Sequence, residues 1–409
     1  MLNHFRTLIL VGIMSLSCTD DNPGHSSEAK FNASEHLILG DQGFQQACRK
    51  SQHCPKSISR EDGKMNFTYG ELISFGGDFY STVDEMYFEE KRPFWRFFRN
   101  DIADTKKLFR KGAAYVEAQK HGHEEGDYPD FNKQYAWNFP KYTRILEDNL
   151  DHFGFHNVLR YADAHGQALE IAYKASKLRS SHPEKAKKLM EKAFFYNGFA
   201  DHFLTDSFAS GHMRVPRLQI NHWAANRGLR SRDAGILTKI IHDRDGEVIK
   251  SGAHGLPVRN SVGDTWFARC DAQLFFNYTE GVKGVEIAVE SVASSIQEIL
   301  DAYDGKLPSS TYAALDFVPF VDESYSSLYK IFHEDMTPEN RKSILANARW
   351  YFKIPGVSKV NNEVLEEFFS DLESLMLEFR LAIAKEIEGE NELIKFIPVE
   401  YLEAYRKVK

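Results

Sequence analysis

The sequence predicts an all-α protein: a multi-helix bundle with a metal-lined cleft and a helical C-terminal extension. Apolar residues recur at helical spacing through most of the chain, and strand patterns are few. The central stretch Ala193 to Arg217 joins an aromatic helix to two histidines and an aspartate. With 409 residues, of which 42% are hydrophobic, the chain is long enough to bury a large core.

The central stretch holds the spacing H-x3-D-x5-H, at His202, Asp206 and His212. His202 and Asp206 are one helical turn apart and therefore project from the same face. We expect Gly211 to let the chain turn, so that His212 returns towards the same point. Two imidazoles and a carboxylate are donors suited to zinc. The plainer alternative for a histidine on an aromatic helix is a packed core residue.

The N-terminus reads as an export signal. We predict residues 1–18 as a lipoprotein-type signal peptide and residues 19–34 as a flexible tether. The apolar run Leu8 to Met14 is too short to span a membrane. The small residues before Cys18 resemble a bacterial lipoprotein cleavage site, so Cys18 would carry a lipid. This predicts an outer-membrane lipoprotein that reaches the membrane surface through its anchor; plain secretion is the alternative.

The other three cysteines suit an exported protein. Cys48 and Cys54 are close enough in sequence to close a small loop through a disulfide. Cys270 is expected to be buried and unpaired. Because the chain contains no C-x-x-C motif, a thiolate zinc site is disfavoured.

Helix patterns organise the rest of the chain. The helix Thr68 to Asp78 is expected to end at Gly76-Gly77, so that Asp78 is presented from a loop. Further helices are predicted over Tyr142 to Lys174, from Ser181 into the central stretch, and over Ala234 to His242, Trp266 to Tyr278 and Gly284 to Tyr303. A boundary near Lys306 separates a metal-binding domain, residues 35–305, from the extension, residues 306–409.

A set of histidines and acids stands at predicted helix ends or on inward faces. A helical bundle can bring such residues from different helices into one cleft. Taken singly, each has a structural explanation as a surface residue, a core histidine or a helix cap. The candidate metal ligands are His36, Asp78, His152, His202, Asp206, His212, His242 and Asp245.

The order of these residues resembles the zinc-dependent phospholipases C. Members of that family are all-helical enzymes with a three-zinc cleft, and fungal single-strand nucleases share their fold. The similarity is closest over Asp151 to Arg217, and HFLTDSFASGHMRVPR is most similar to a larger branch found in Gram-negative bacteria. The resemblance covers about Glu35 to Tyr303 and is silent on the extension.

The resemblance implies two or three Zn²⁺ ions and a role for each ligand. One zinc would take His152, His202 and Asp206, with Asp78 as a bridging carboxylate. A second would use Asp78, His212 and His242 with an acid that follows His242. Asp78 would also act as the general base, and Asp84 is the substitute candidate for it.

Two positions depart from the family pattern. The small family members bind one zinc through an N-terminal Trp shortly before the first histidine, and no Trp precedes His36 here. The last family pair is His-x3-Glu, whereas Gly246 stands at that spacing after His242. Asp245 is the favoured replacement, and Glu247 is the alternative.

The sequence therefore predicts a zinc phosphodiesterase: a phospholipase C that acts on phosphatidylcholine-like lipids. Metal-activated water needs no protein nucleophile, which fits the absence of a G-x-S-x-G elbow. A zinc nuclease or 3′-nucleotidase is the second candidate. The net charge of −8 does not favour a nucleic-acid partner. The third candidate is a non-catalytic surface lipoprotein with structural metal.

Overall fold

A computed structural model gives the architecture of most of the chain. Within the described residues the protein is mostly helical with only small sheets, which confirms the all-α class. The predicted signal peptide and lipid-bearing Cys18 lie outside these residues. The structure describes residues 33–49, 51–88, 101–120, 131–139, 141–142, 145, 149–245, 255–271, 274–275, 281–306, 312–322, 360–388, 393–399, 402–403 and 407.

The N-terminal half consists of helices with one small antiparallel ribbon. A capping box begins one of these helices at Thr68, whose hydroxyl accepts from the Glu71 N–H while the Glu71 carboxylate accepts from the Thr68 N–H. The elements are α1 (Ala33–Cys48), β1 (Ile58–Ser59), β2 (Asn66–Phe67), α2 (Tyr69–Phe75), α3 (Val83–Phe88), α4 (Ile102–Lys120), α5 (Asn132–Asn138), a 3₁₀ turn (Leu150–His152) and α6 (Phe155–Leu178).

The C-terminal half begins with the helix that carries the central motif. Pro183 occupies its first turn, as expected from the missing N–H of proline. The elements are α7 (Pro183–Asp206), α8 (Ser210–Met213), α9 (Arg217–Asn226), α10 (Ser231–Asp245), β3 (Leu256–Arg259), β4 (Thr265–Ala268), α11 (Gly281–Tyr303), a 3₁₀ turn (Ala313–Phe317), β5 (Phe320–Val321), α12 (Asn362–Ile387) and a 3₁₀ turn (Ile394–Phe396).

The long helices α6 and α7 form the centre of the core. The short connection between them makes them antiparallel neighbours. α1, α2 and α11 pack against this pair. Aromatic rings fill the space beneath α2, where Phe75 and Phe79 contact Phe109 and Phe139 at edge-to-face or tilted angles. This packing fixes the loop that carries Asp78.

The segment after residue 260 differs from the prediction. A helix was expected over Trp266 to Tyr278, but Thr265–Ala268 is strand β4 and pairs antiparallel with β3. β3 also pairs with β5, which makes a three-stranded sheet in the order β4-β3-β5. Thr, Trp and Phe favour strands, and Gly263 adopts φ +93 in the connecting turn. The turn residues therefore predict a hairpin better than the apolar spacing predicts a helix.

One cysteine prediction is confirmed, and another is wrong. Cys48 and Cys54 form a disulfide. Cys270 is buried as expected, but it is disulfide-bonded rather than unpaired, and its partner is not among the described residues.

Helix α12 packs against the region predicted as the metal-binding domain. Its residues Leu365, Phe368, Leu372, Leu375 and Met376 lie in a hydrophobic cluster with apolar residues of α9 and α10. Phe379 and Ile383 join the larger core cluster. The predicted boundary near residue 306 stays a prediction. No described helix has the length and apolar character needed to cross a bilayer.

Our first prediction concerns Glu71, which joins α2 to α4. Its side chain is 1% exposed and pairs with Lys106 and Arg110 at 2.7 Å each. We expect Glu71→Gln to lower the free energy of unfolding by about 2–3 kcal/mol, because two cations lose their partner and the helix cap weakens. A urea titration followed by circular dichroism measures this. Asp104→Asn, which removes an exposed pair with Lys107, is the control and should match wild type.

Candidate metal centre

The C-terminal end of α7 carries the residues around which the site is built. His202 and Asp206 lie one turn apart on α7 and are 0% and 2% exposed. Three other segments bring donors to the same point: α1 brings His36, the loop after α2 brings Asp78, and the 3₁₀ turn brings His152. We call these five residues the inner group.

The inner group places nitrogen and oxygen donors within a few ångströms of each other. His152 Nδ1 lies 2.8 Å from Asp206 Oδ2 and 3.3 Å from His202 Nε2. His36 Nε2 lies 3.4 Å from the other carboxylate oxygen, Oδ1 of Asp206. The ligand atoms form two overlapping triads, His36–His202–Asp206 and Asp78–His152–His202, each within 4.8 Å. Both triads could hold a metal ion.

In His202 and His36, a hydrogen bond to Nδ1 leaves Nε2 as the nitrogen that faces the inner group. His202 Nδ1 lies 2.9 Å from the carbonyl oxygen of Ile73, which can only accept, so Nδ1 carries the proton. His36 Nδ1 lies 2.7 Å from the hydroxyl of Thr205, and that hydroxyl donates to the Asp201 carbonyl. In both residues Nε2 is therefore left unprotonated as a ligand atom.

A second set of donors adjoins the inner group. His212 Nε2 and His242 Nε2 lie 3.2 Å and 3.0 Å from the same oxygen, Oδ2 of Asp271. We call His212, His242 and Asp271 the outer group. His212 Nδ1 faces the carbonyl oxygen of His152 at 2.9 Å, so its Nε2 is also free to bind a metal. The side chains of His242 and Asp271 are each 12% exposed, so this group reaches towards solvent.

Asp271 is the functional residue that sequence reasoning missed. It stands just after β4, and the wrong helix prediction for this segment hid it. The hairpin formed by the NSVGD turn is the signal that could have placed its end beside α8, where the Ser210 N–H donates to the Arg269 carbonyl. Asp245, the predicted acid, is the last residue of α10, and its side chain lies outside the description, as does Glu247.

Asp84 lies outside both groups. This substitute candidate for Asp78 is exposed and accepts a hydrogen bond from the Tyr196 hydroxyl. Asp78 itself is buried and belongs to the inner group. The structure thus places Asp78, and not Asp84, among the donors of the inner group.

Burial and the charges of neighbouring residues shift the pKa values of the inner-group side chains, often in opposite directions. Burial raises the pKa of Asp78 to about 7. Burial also opposes the charged form of Asp206, but the imidazoles of His202, His152 and His212 outweigh it and hold the Asp206 pKa well below its usual range. For His152, burial is outweighed by the carboxylates of Asp206 and Asp78, which raise its pKa to about 9.

Two tests support metal binding by these donors. Asp78 Oδ1 is buried without a hydrogen-bond partner among the described residues, and a cation would satisfy it. Glycines also stand where a side chain would fill the site. A Cβ on Gly77 would lie 2.4 Å from His202 Nε2, and a Cβ on Gly211 would lie 2.3 Å from His242 Cδ2.

Gly211 therefore acts differently from the prediction. We expected it to provide a turn, but it lies within α8 and has no positive φ. Its role is close approach: the missing side chain leaves room for the His242 ring. Gly77 does adopt φ +63, so there both backbone conformation and space require glycine.

Comparisons with protein-family models, with curated proteins and with solved structures found no match. The buried His/Asp clusters could hold metal ions, and the identity of the metal and the family stay predictions.

Gly211→Ala should displace His242 and disturb the outer group. We expect the variant to bind one metal ion fewer per chain, because the added methyl group overlaps the imidazole. Metal content after dialysis, measured by plasma mass spectrometry, tests this. Gly166→Ala is the control, since the nearest atom to its added Cβ is 3.5 Å away. Equal metal content in the two variants would contradict the assignment.

The acid of the outer group can be identified by substitution. We expect Asp271→Asn to lose the outer metal ion, because a neutral amide is a poor ligand beside two imidazoles. Asp245→Asn should keep it. The same metal analysis decides between them, and loss of metal in Asp245→Asn alone would restore the acid favoured by the sequence.

Proposed function

We propose that the protein is a zinc-dependent phosphodiester hydrolase. More specifically, we propose a phospholipase C that cleaves phosphatidylcholine-like lipids to diacylglycerol and a phosphorylated headgroup. The observation that carries the proposal is the convergence of buried imidazoles and carboxylates from distant segments into the adjoining inner and outer groups. Clustered metal sites of this kind are typical of phosphoester hydrolysis.

The donor set supports zinc. Imidazole nitrogens outnumber carboxylates in the two groups together, with five histidines and three aspartates. Mg²⁺ and Ca²⁺ prefer oxygen ligands, whereas zinc accepts a mixture of nitrogen and oxygen. Asp206 presents its two oxygens to different histidines, Oδ1 to His36 and Oδ2 to His152, and so can bridge two ions.

Each residue then has a defined task. Bound zinc would lower the pKa of water and offset the charge of a phosphodiester in the transition state. His202 and His212 keep Nε2 unprotonated because their Nδ1–H groups face backbone carbonyls. Asp78 would act as the general base through its carboxylate, and burial raises the pKa of that group to about 7 before any cation binds. A bound cation would lower that pKa and favour the ionised carboxylate.

The choice of a lipid substrate rests on sequence rather than on the site. The order of the ligands resembles phospholipases C, and the predicted export signal suits a lipid at the cell envelope. The acidic net charge of −8 does not favour nucleic acid, whose binding is driven by basic surfaces.

Metal content and hydrolysis together test the proposal. We expect the purified chain to hold two or three zinc ions and to release phosphocholine from phosphatidylcholine vesicles. Asp206→Asn should lose at least one ion and reduce hydrolysis at least a hundredfold, because its carboxylate faces His36 of one triad and His152 of the other. Asp84→Asn removes an exposed carboxylate of α3 that lies outside both groups; it is the matched control and should behave as wild type.

The alternatives give different results in the same experiment. Zinc without lipid hydrolysis, but with cleavage of single-stranded DNA or a 3′-nucleotide, would indicate the nuclease. Zinc without any hydrolysis would indicate a structural metal in a surface lipoprotein. Failure to bind zinc after reconstitution would refute the proposal that the protein is a zinc-dependent hydrolase.

A further inference from the structure

Helix α12 contacts the segment that connects the two metal groups. That segment is His152-Phe153-Gly154, in which His152 belongs to the inner group. Gly154 adopts φ +58, and a Cβ built on it would lie 2.2 Å from Cζ of Phe379 on α12. The Phe379 ring therefore lies directly against the Gly154 backbone, where any other residue would collide with it.

Gly154 is also bonded to the outer group. Its backbone N–H donates to the carbonyl oxygen of His212 at 2.5 Å. In return, His212 Nδ1–H donates to the carbonyl oxygen of His152 at 2.9 Å. These two bonds clamp the backbones of the His152 and His212 segments together. The Phe379 ring packs on the outside of this clamp.

Phe153 provides a second connection between α12 and His212. Its ring stacks on His212, with centroids 4.8 Å apart and planes inclined by 12°. Phe153 belongs to the hydrophobic cluster that contains Leu365, Phe368 and Leu372 of α12. One face of the His212 imidazole is thus supported by a ring that α12 helps to enclose.

α12 itself is held in place by polar contacts with α9. Trp223 Nε1 donates to Asp371 Oδ2 at 2.8 Å, and the Arg227 guanidinium lies 3.9 Å from the centre of the Trp223 ring. Arg227 also pairs with Glu367 and Asp371. Several contacts on one helix turn fix the axial position of α12, and hence the position of Phe379.

We propose that α12, through Phe379, is a positioning element for the metal centre. The ring holds Gly154 and its bond to His212, and so sets the direction of the ligands His152 and His212. The metal-binding consequence rests on the proposed function. This gives the C-terminal extension a role on which the family resemblance is silent.

The experiment compares full-length Phe379→Ala, Phe379→Leu and Leu377→Ala. Leu377 lies on the same helix but is 38% exposed, so it is the matched control. Two readouts are used: zinc affinity by chelator competition, and hydrogen exchange of the Gly154 amide by mass spectrometry. We expect Phe379→Ala to weaken zinc binding about tenfold, as loss of residues that orient ligands does, and to speed Gly154 exchange. Phe379→Leu should lie between Phe379→Ala and wild type.

The control separates positioning from general loss of stability. The inference is overturned if Phe379→Ala matches Leu377→Ala in both readouts, or if Leu377→Ala weakens zinc binding equally. Should Phe379→Ala fail to fold, Phe379→Leu against Leu377→Ala decides. If wild type binds no zinc, the proposed function fails, and Gly154 exchange alone then tests the contact with Phe379.

Discussion

The site depends on one carboxylate held among imidazoles in the protein interior. Asp206 is 2% exposed, and a buried carboxylate without partners would strongly destabilise the fold. Histidines from four segments surround it, with nitrogen–oxygen distances of 3.4 Å to His36, 2.8 Å to His152, 3.5 Å to His202 and 3.8 Å to His212. The fold must therefore hold these segments close to Asp206, and much of the surrounding packing serves that end.

Backbone at three places approaches a ring so closely that a side chain cannot fit. Gly77 lies against His202, Gly211 against His242, and Gly154 against Phe379. In each case the glycine lies on a segment that also carries a ligand or connects two of them. Close packing of this kind leaves little freedom for the imidazoles, because interiors are as dense as organic crystals. The ligand directions thus follow from packing as well as from hydrogen bonds.

The sequence was sufficient to predict those parts of the site whose geometry depends only on local residue spacing. The i,i+4 separation of His202 and Asp206 and the glycines before Asp78 act locally, and both were predicted. Long-range relations were not available to such reasoning. Asp271 was missed because its place beside His242 depends on how the β3–β4 hairpin packs on α8.

A second buried network, made of hydrogen bonds, fixes the orientation of α7 about its own axis. Asp201 precedes His202 and therefore points about 100° away around the helix. Its Oδ2 accepts from the Tyr69 hydroxyl at 2.6 Å, and its Oδ1 accepts from the Ser295 hydroxyl at 2.7 Å. One turn earlier, Asn197 donates to Ser295 at 2.9 Å. Rotating α7 would break these bonds to α2 and α11 while it withdrew His202 and Asp206 from the centre. Two polar faces on one buried helix thus specify a single orientation, which an apolar helix of equal burial would leave less well defined.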